Sequence, residues 1–330
     1  MKTKIAIVGL GKMGLMHASI MGMMNDVEIT AICEKNGLIR RFGEKVIPHI
    51  KILENLDGFR GMGLDAILIT TPPASHYPII KTIYEKVVAR HVFTEKPLAI
   101  NYQQAKELIG LAEKNGGVNM VGYQRRFSVT FKKAKQILES GDIGNPISFQ
   151  GHAYSADFLG AKTTKQAIGR GGVIEDSGCH VIDIALWMLG DMKPIKASVK
   201  SLLGSGSEDE ASILVITNKG IKGELNSSWC KEGYRLPDIC LSITAEKGIL
   251  TVNEDRVQLE LNDGKSTVWY KHDLNDTVPF FIGGSEYQRQ GEMFIRAIRE
   301  GQKAYPDFLT AAKVNQLVDA ANQLAKGAAQ

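Results

Sequence analysis

Cysteine is scarce in this sequence. Four occur in 330 residues, Cys33, Cys179, Cys230 and Cys240, and none forms a CxxC pair. Cys179 is followed directly by His180, but neighbours on a helix point in different directions, so no metal site is expected. The pattern suits free thiols in a reducing compartment rather than a disulfide framework. Long apolar runs are missing too. No window approaches the ~20 apolar residues that span a bilayer. The opening "MKTKIAIVGLGKMG" starts on a strand, without an apolar stretch leading to a small-residue cleavage site. A cytoplasmic protein with no membrane partner is the expectation. Nor is there a surplus of one charge: 40 basic and 36 acidic residues leave +4. So small and well-mixed an excess does not argue for a nucleic-acid partner. Internal repeats and low-complexity segments are absent.

What is present divides near residue 122. Before it, apolar strands such as "KIAIVGL", "VEITAIC", "DAILITT", "HVFTEKP" and "VNMVGYQ" alternate with helical stretches, among them "SHYPIIKTIYEKVVA" and "NYQQAKELIGLAEKNGG". Uninterrupted apolar strands separated by helices predict a parallel sheet covered on both faces. After it, a helix "VTFKKAKQILESG" leads into alternating or β-branched runs, from "ISFQGHAYS" to "STVWYK". These predict a large, mostly antiparallel sheet. Two helices close the chain. The expected fold is α/β: a Rossmann dinucleotide-binding domain over 1–122, then an α+β domain with an open sheet over 123–330.

The first strand runs into "GLGKMG", which places Gly9, Gly11 and Gly14 around Lys12 and Met13. A GxGxxG alone is weak, but here it follows a strand and opens a helix. The first glycine permits the tight turn, the second lets the backbone approach a pyrophosphate, and the third lets helix and strand pack closely. Glu34 follows the second strand, twenty residues after Gly14, where an acid accepts hydrogen bonds from ribose hydroxyls. It would repel a 2′-phosphate, which favours NAD. Lys35, Arg40 and Arg41 lie near enough in sequence to leave NADP open.

Ligands of open parallel sheets bind beyond the carboxyl ends of the strands. That rule selects Thr71 and Pro72 in "TTPPASH", the segment "TEKP", and "GYQRRF". Lys96 in "TEKP" can hydrogen-bond a substrate hydroxyl or carbonyl; a solvated surface lysine is the competing reading. His76 starts a helix, with Ser75 as its expected cap. Tyr77 and Lys81 form a YxxxK, the spacing of short-chain dehydrogenases, but they come too early in the chain and beside the wrong form of glycine loop. A second polar set lies in "GGVIEDSGCHVID". Asp176, His180 and Asp183 are spaced by four and three, one face of an otherwise apolar helix. A hydride transfer from an alcohol needs a proton acceptor, and a histidine suits that role. The alternative is a satisfied polar network inside the second domain.

Taken together, Glu95-Lys96-Pro97, "TPPASH", "GYQRRF", "GGVIEDSGCHVID" and the later "EKGILTV" occur in an order that resembles the Gfo/Idh/MocA oxidoreductases over nearly the whole chain. The resemblance implies a Rossmann domain, a second domain whose open sheet forms a homodimer or homotetramer interface, and a C-terminal part packing back on the first domain. It implies that Lys96 matches the family's catalytic lysine and that Asp176 and His180 match its DxxxH pair. His180 would then be the general base or acid. Gly9, Gly11, Lys12, Met13, Gly14, Glu34, Lys35, Thr71, Pro72, His76, Glu95, Lys96, Pro97 and Arg125 would line the cofactor. Tyr123, Tyr154, Arg170, Asp183 and Tyr287 are placed near the substrate. The implied reaction is reversible, NAD(P)-dependent oxidation of a secondary alcohol of a sugar or cyclitol. Two alternatives stay open: an enzyme that retains its cofactor through a hidden redox cycle, and a dinucleotide-binding sensor without turnover.

Overall fold

The computed structural model describes residues 2–158, 171–203 and 207–328. The chain divides into two compact units. One comprises Met1–Gln124 with Val278–Ala312, the other Arg125–Thr277 with Lys313–Gln330. Each unit is therefore made from two separate stretches of sequence.

The first unit is built on six parallel strands in the order β3-β2-β1-β4-β5-β6. These are β1 (Thr3–Val8), β2 (Val27–Cys33), β3 (Lys51–Leu53), β4 (Ala66–Ile69), β5 (His91–Glu95) and β6 (Asn119–Gly122). β1 and β4 lie side by side at the centre, and β4 is buried along its whole length. A strand buried on both faces has no polar alternation, which is why the sequence shows none. The order grows outward from β1 to β3 on one side and from β4 to β6 on the other, so the loops that leave β1 and β4 diverge and open a crevice at the carboxyl edge. Four helices connect the strands: α1 (Lys12–Gly22), α2 (Gly37–Val46), α3 (His76–Glu85) and α4 (Tyr102–Asn115). Asn36 and Asn101 cap α2 and α4 with their side chains, whereas α1 and α3 have no side-chain cap. Ser75 does not cap α3; its hydroxyl lies 2.7 Å from both Thr71 Oγ1 and Pro72 O, so it can donate to the carbonyl and accept from the threonine hydroxyl. The YxxxK pair turns out to be a surface staple: Tyr77 and Lys81 both reach Glu107 on α4, at 2.5 and 2.6 Å.

Residues from the C-terminal part complete this unit. Val121 N–H donates to Pro306 O at 2.9 Å and Phe308 N–H to Asn119 Oδ1 at 2.7 Å. Helix α7 (Ser285–Glu300; α5 and α6 are in the second unit) lies against α1, and its Arg299 pairs with Asp26.

The second unit carries eight strands: β7 (Pro146–Tyr154), β8 (Met192–Lys200), β9 (Glu210–Thr217), β10 (Lys222–Ser228), β11 (Asp238–Ala245), β12 (Gly248–Val252), β13 (Arg256–Leu261) and β14 (Ser266–Tyr270). Their order is β14-β13-β12-β11-β7-β10-β9-β8. Only the β7–β10 pair is parallel. Helices α5 (Val129–Ser140) and α6 (Cys179–Leu189) pack on this sheet, α5 on β12 and β13, α6 on β7 and β11. The last helix, α8 (Phe308–Ala328), gives its start to the first unit and its remainder to the second. Among the described residues no helix is long and apolar enough to cross a membrane.

Helix α6 is seated by one small residue. A Cβ on Gly151 in β7 would stand 2.6 Å from Val181 Cγ2 of α6 and 3.0 Å from Leu225 Cδ2. Gly151→Ala therefore pushes α6 away from the sheet, an overpacking that costs about 1–3 kcal/mol. Val181→Ala in the same chain should recover part of that loss, because the two sites share the space. Thermal unfolding of both single variants and the double variant measures the coupling; strict additivity would show that the contact does not seat the helix.

Candidate active site

The glycine loop has the geometry of a dinucleotide cradle. Gly9 adopts φ +96°, and a Cβ there would lie 2.9 Å from Thr71 Cγ2. A Cβ on Gly14 would lie 2.1 Å from Gly9 O, so helix and turn touch backbone to backbone. Gly11 is different, with no heavy atom within 4 Å of where its Cβ would be. The backbone is thus tight beneath the loop and open above it. No side chain caps α1 and no acid stands in its first turn, which leaves its first N–H groups for an anion. Lys12 is exposed and Met13 half-buried beside that opening. The residues present fit a pyrophosphate.

Glu34 is buried, and its carboxylate accepts Leu10 N–H at 2.8 Å and Asn36 N–H at 2.7 Å. Each oxygen keeps a further lone pair for a ribose hydroxyl. The basic residues nearby are otherwise engaged. Arg40 bonds Glu34 O at 3.0 Å and pairs with Glu54 at 3.5 Å; Arg41 bonds Gly37 O at 3.3 Å. Lys35 is exposed. A fixed carboxylate and two committed arginines favour a free 2′-hydroxyl, hence NAD over NADP.

On the other side of the switch point, Thr70 Oγ1 donates to Val8 O and Gly9 O at 3.1 and 3.0 Å, locking the loop after β4 to the glycine turn. Thr71 and Pro72 follow it on the open edge. The side chain of His76 is not on that edge. It is fully buried, with Nδ1 2.7 Å from Pro97 O and Nε2 2.8 Å from Thr71 O, because the ring bridges the two loops beneath them. Burial pulls its pKa below the usual imidazole value, against the two carbonyls. What the side chain holds is the backbone of the Thr71 and Pro97 segments. Lys96 stands half-buried just past β5, and its N–H donates to Glu95 Oε2 at 3.3 Å. Glu95 faces inward: its Oε1 lies 2.7 Å from His17 Nε2.

His17 and Gln124 were not singled out in the sequence. Gln124 Nε2 donates to Tyr287 Oη at 3.1 Å, and Tyr287 presents its edge to His17 at 6.2 Å. The signal for His17 was available: a histidine on the apolar face of α1, three residues after Gly14. Tyr123 is fully buried.

In the second unit the polar stripe is divided. Ile174–Gly178 is a π-turn, and α6 begins only at Cys179. π-bulges change the residue-to-turn count and occur often at functional sites. The turn docks on the end of β10. Trp229 Nε1 donates to Ser177 Oγ at 3.0 Å, and a Cβ on Gly178 would lie 2.6 Å from Ser227 Oγ. Asp176 is half-buried and His180 buried at 9% exposure. Asp183 leaves the stripe. It is 1% exposed and makes a bidentate pair with Arg126, Nε–Oδ2 2.9 Å and Nη2–Oδ1 2.6 Å. Burial pushes its carboxyl up from the ordinary value while the guanidinium opposes that shift. The pair fixes α6 to the turn before α5. Arg125 pairs with Glu254.

Tyr154 ends β7 on the outward face of the sheet, in a polar cleft of about 190 Å³ with Ser212, Asn226 and Ser228. His152 stacks on its ring at 4.4 Å, and Lys231 Nζ stands 5.3 Å from the centroid. Arg170 lies outside the described residues. Among the described residues no group of three His, Cys, Asp or Glu is arranged to hold a metal. All four cysteines are free; burial raises Cys33 to about 11 and Cys240 to about 12.

Comparison with known proteins finds two family models. One, described as oxidoreductase family, NAD-binding Rossmann fold, matches residues 3–123; the other, the GFO/IDH/MocA C-terminal domain, matches 131–251. Among curated relatives, inositol 2-dehydrogenase of Salmonella typhimurium is 27% identical over 76% of this chain and 73% of its own. The scyllo-inositol 2-dehydrogenase (NAD(+)) of Bacillus subtilis is 26% identical over 62% of this chain and 57% of its own. Myo-inositol 2-dehydrogenase of Thermotoga maritima is 24% identical over 91% and 89%. Levoglucosan dehydrogenase in complex with NADH and L-sorbose superposes with TM-score 0.87 at 20% identity, over 99% of this chain and 97% of that one. The likeness in structure at that identity concerns the fold.

Glu208 adds a pH dependence close to the π-turn. Its carboxyl is pushed up to about 7, first by burial and then by Glu175. Glu175 is itself held by Asn322 Nδ2 at 2.9 Å. The folded protein keeps the Glu208 proton up to about pH 7, whereas the unfolded chain releases it near the ordinary 4.5. The folded state holds more protons in that window, so this contribution to stability is present below it and lost as pH rises through it. Glu208→Gln keeps a donor toward Glu175 and removes the titration. Its melting temperature should fall less than that of the parent between pH 5 and 8 by calorimetry. Parallel curves would exclude a shared proton.

Proposed function

The chain belongs to the Gfo/Idh/MocA family of oxidoreductases, and on that premise we propose that it is an NAD-dependent dehydrogenase acting on a secondary alcohol of a sugar, a cyclitol or one of their derivatives. The observation that carries this reading is the character of three side chains. A lysine stands just past the carboxyl edge of an NAD-binding sheet, and an acid and an imidazole stand on a π-turn and the helix that follows it. The names of the relatives, inositol and levoglucosan dehydrogenases, support a polyhydroxylated substrate.

Oxidation of an alcohol removes a hydride from carbon and a proton from oxygen. The dinucleotide, when bound, is the hydride acceptor. The protein has to take the proton and stabilise the oxygen as it becomes a carbonyl. In this reading His180 accepts the hydroxyl proton. Lys96 hydrogen-bonds the same oxygen through its ammonium, and Asp176 orients a neighbouring hydroxyl or the imidazole. Reduction runs the same steps backwards, with His180 returning the proton. Glu34 and the glycine loop hold the adenosine end. Self-association is proposed through the outward face of the eight-stranded sheet, where Leu214 and Ile249 stand exposed among polar neighbours.

The test follows absorbance of reduced nicotinamide with NAD and a panel of inositols, free sugars, sugar acids and UDP-sugars, after recording the protein's own spectrum. Substrate-dependent growth of the band is the expected outcome. Lys96→Ala and His180→Ala should each lower kcat by roughly 10²–10⁴-fold while NADH still binds. Full turnover in both variants would refute these roles. A flat trace over protein already carrying nicotinamide would point instead to a retained cofactor.

A further inference from the structure

Two buried histidines close on the Glu95–Lys96–Pro97 segment from different helices. His17, on α1, is 1% exposed, with Nε2 2.7 Å from Glu95 Oε1. His76, at the start of α3, is 0% exposed, with Nδ1 2.7 Å from Pro97 O. Lys96 is the residue between the two that are held. Its N–H completes the arrangement by donating to the other oxygen of Glu95, at 3.3 Å.

Packing alone does not account for these residues. A buried polar group is costly unless every polar atom is paired. His17 Nδ1 is buried with no hydrogen-bond partner. His76 faces a carbonyl oxygen at each ring nitrogen, 2.7 and 2.8 Å away, although a neutral imidazole has one N–H to donate. Leucine or methionine would fill either space without that penalty. The surroundings keep water out: the ring of Phe93 lies 5.2 Å from His17, and that of Tyr287 6.2 Å. Both residues also reach the dinucleotide cradle. His17 stands one turn beyond Gly14, and His76 Nε2 meets the carbonyl of Thr71.

We propose that His17 and His76 are positioning residues for Lys96, His17 by orienting the Glu95 carboxylate that receives the Lys96 N–H, and His76 by holding the Pro97 carbonyl on the other side. The glycine-loop helix and the loop after β4 are thereby linked mechanically to the lysine. The kinetic consequence rests on the role given to Lys96 above; the placement of the lysine does not.

The experiment uses the full chain with four substitutions. A glutamine amide nitrogen occupies the place of Nε2, and an asparagine amide nitrogen that of Nδ1. His17→Gln keeps the bond to Glu95 and His17→Leu removes it. His76→Asn keeps a donor toward Pro97 O, and His76→Gln offers one toward Thr71 O instead. The first readout is acylation of the Lys96 amine under limiting reagent across a pH series. It is quantified by peptide mass spectrometry against exposed Lys45, in variants with native circular dichroism. His17→Leu and His76→Gln should change the relative rate or its pH midpoint, by about threefold in rate. His17→Gln and His76→Asn should follow the parent. The second readout is kcat, expected to fall about 10-fold to 100-fold in the two disrupting variants with KM for NAD unchanged. Unaltered Lys96 labelling in a folded His17→Leu or His76→Gln protein would overturn the proposal. If His17→Leu does not fold, the His76 pair decides alone. Absence of dehydrogenase activity in the parent would count against the proposed function and leave the labelling result standing.

Discussion

The first unit depends on one close approach. Helix α1 touches the turn before it so tightly that a Cβ on Gly14 would lie 2.1 Å from Gly9 O. That contact fixes the direction in which α1 leaves β1. With the direction fixed, the uncapped N-terminus faces the open side of Gly11, and the helix carries His17 inward to Glu95. Any residue larger than glycine would displace the helix, and the anion cradle and the support beneath Lys96 would move together. Cofactor binding and placement of the lysine are two consequences of one steric constraint.

The second unit solves the matching problem by other means. Its mostly apolar helix α6 lies on a sheet, with Gly151 making room for Val181. The π-turn at Ile174–Gly178 then resets the phase between Asp176 and the residues of α6. Ser177 and Gly178 anchor the turn to Trp229 and Ser227, and the Arg126–Asp183 pair anchors the helix behind it. A buried ion pair is weak evidence for stability but a strong geometric constraint. Here it joins α6 to the turn before α5.

Much of this was legible in the sequence because it is local. The eight runs of alternating or β-branched residues after residue 145 correspond to the eight strands β7 to β14. The GxGxxG does join a strand to a helix, and Glu34 does follow the second strand. Lys96 stands just past a strand's carboxyl end. Two short elements were harder to see: β3 has three residues, and α2, although amphipathic, leaves apolar side chains such as Leu38 and Phe42 exposed. Side-chain partners were harder still. The burial of Tyr123 and the bond from Arg126 to Asp183 are not visible in a string of letters.

The sequence by itself determined the two classes of sheet, the glycine cradle, the acid at Glu34 and the residue types available for proton transfer. Those follow from periodicity, backbone sterics and chemical identity, which act over a few residues. Tertiary structure decided which C-terminal residues, 278–312, complete the first unit, that His76 is a strut beneath two loops, and that His17 meets Glu95 across 78 positions of sequence. Such pairings depend on which buried polar atoms come within hydrogen-bond reach once the sheets have formed, and no local pattern records that distance.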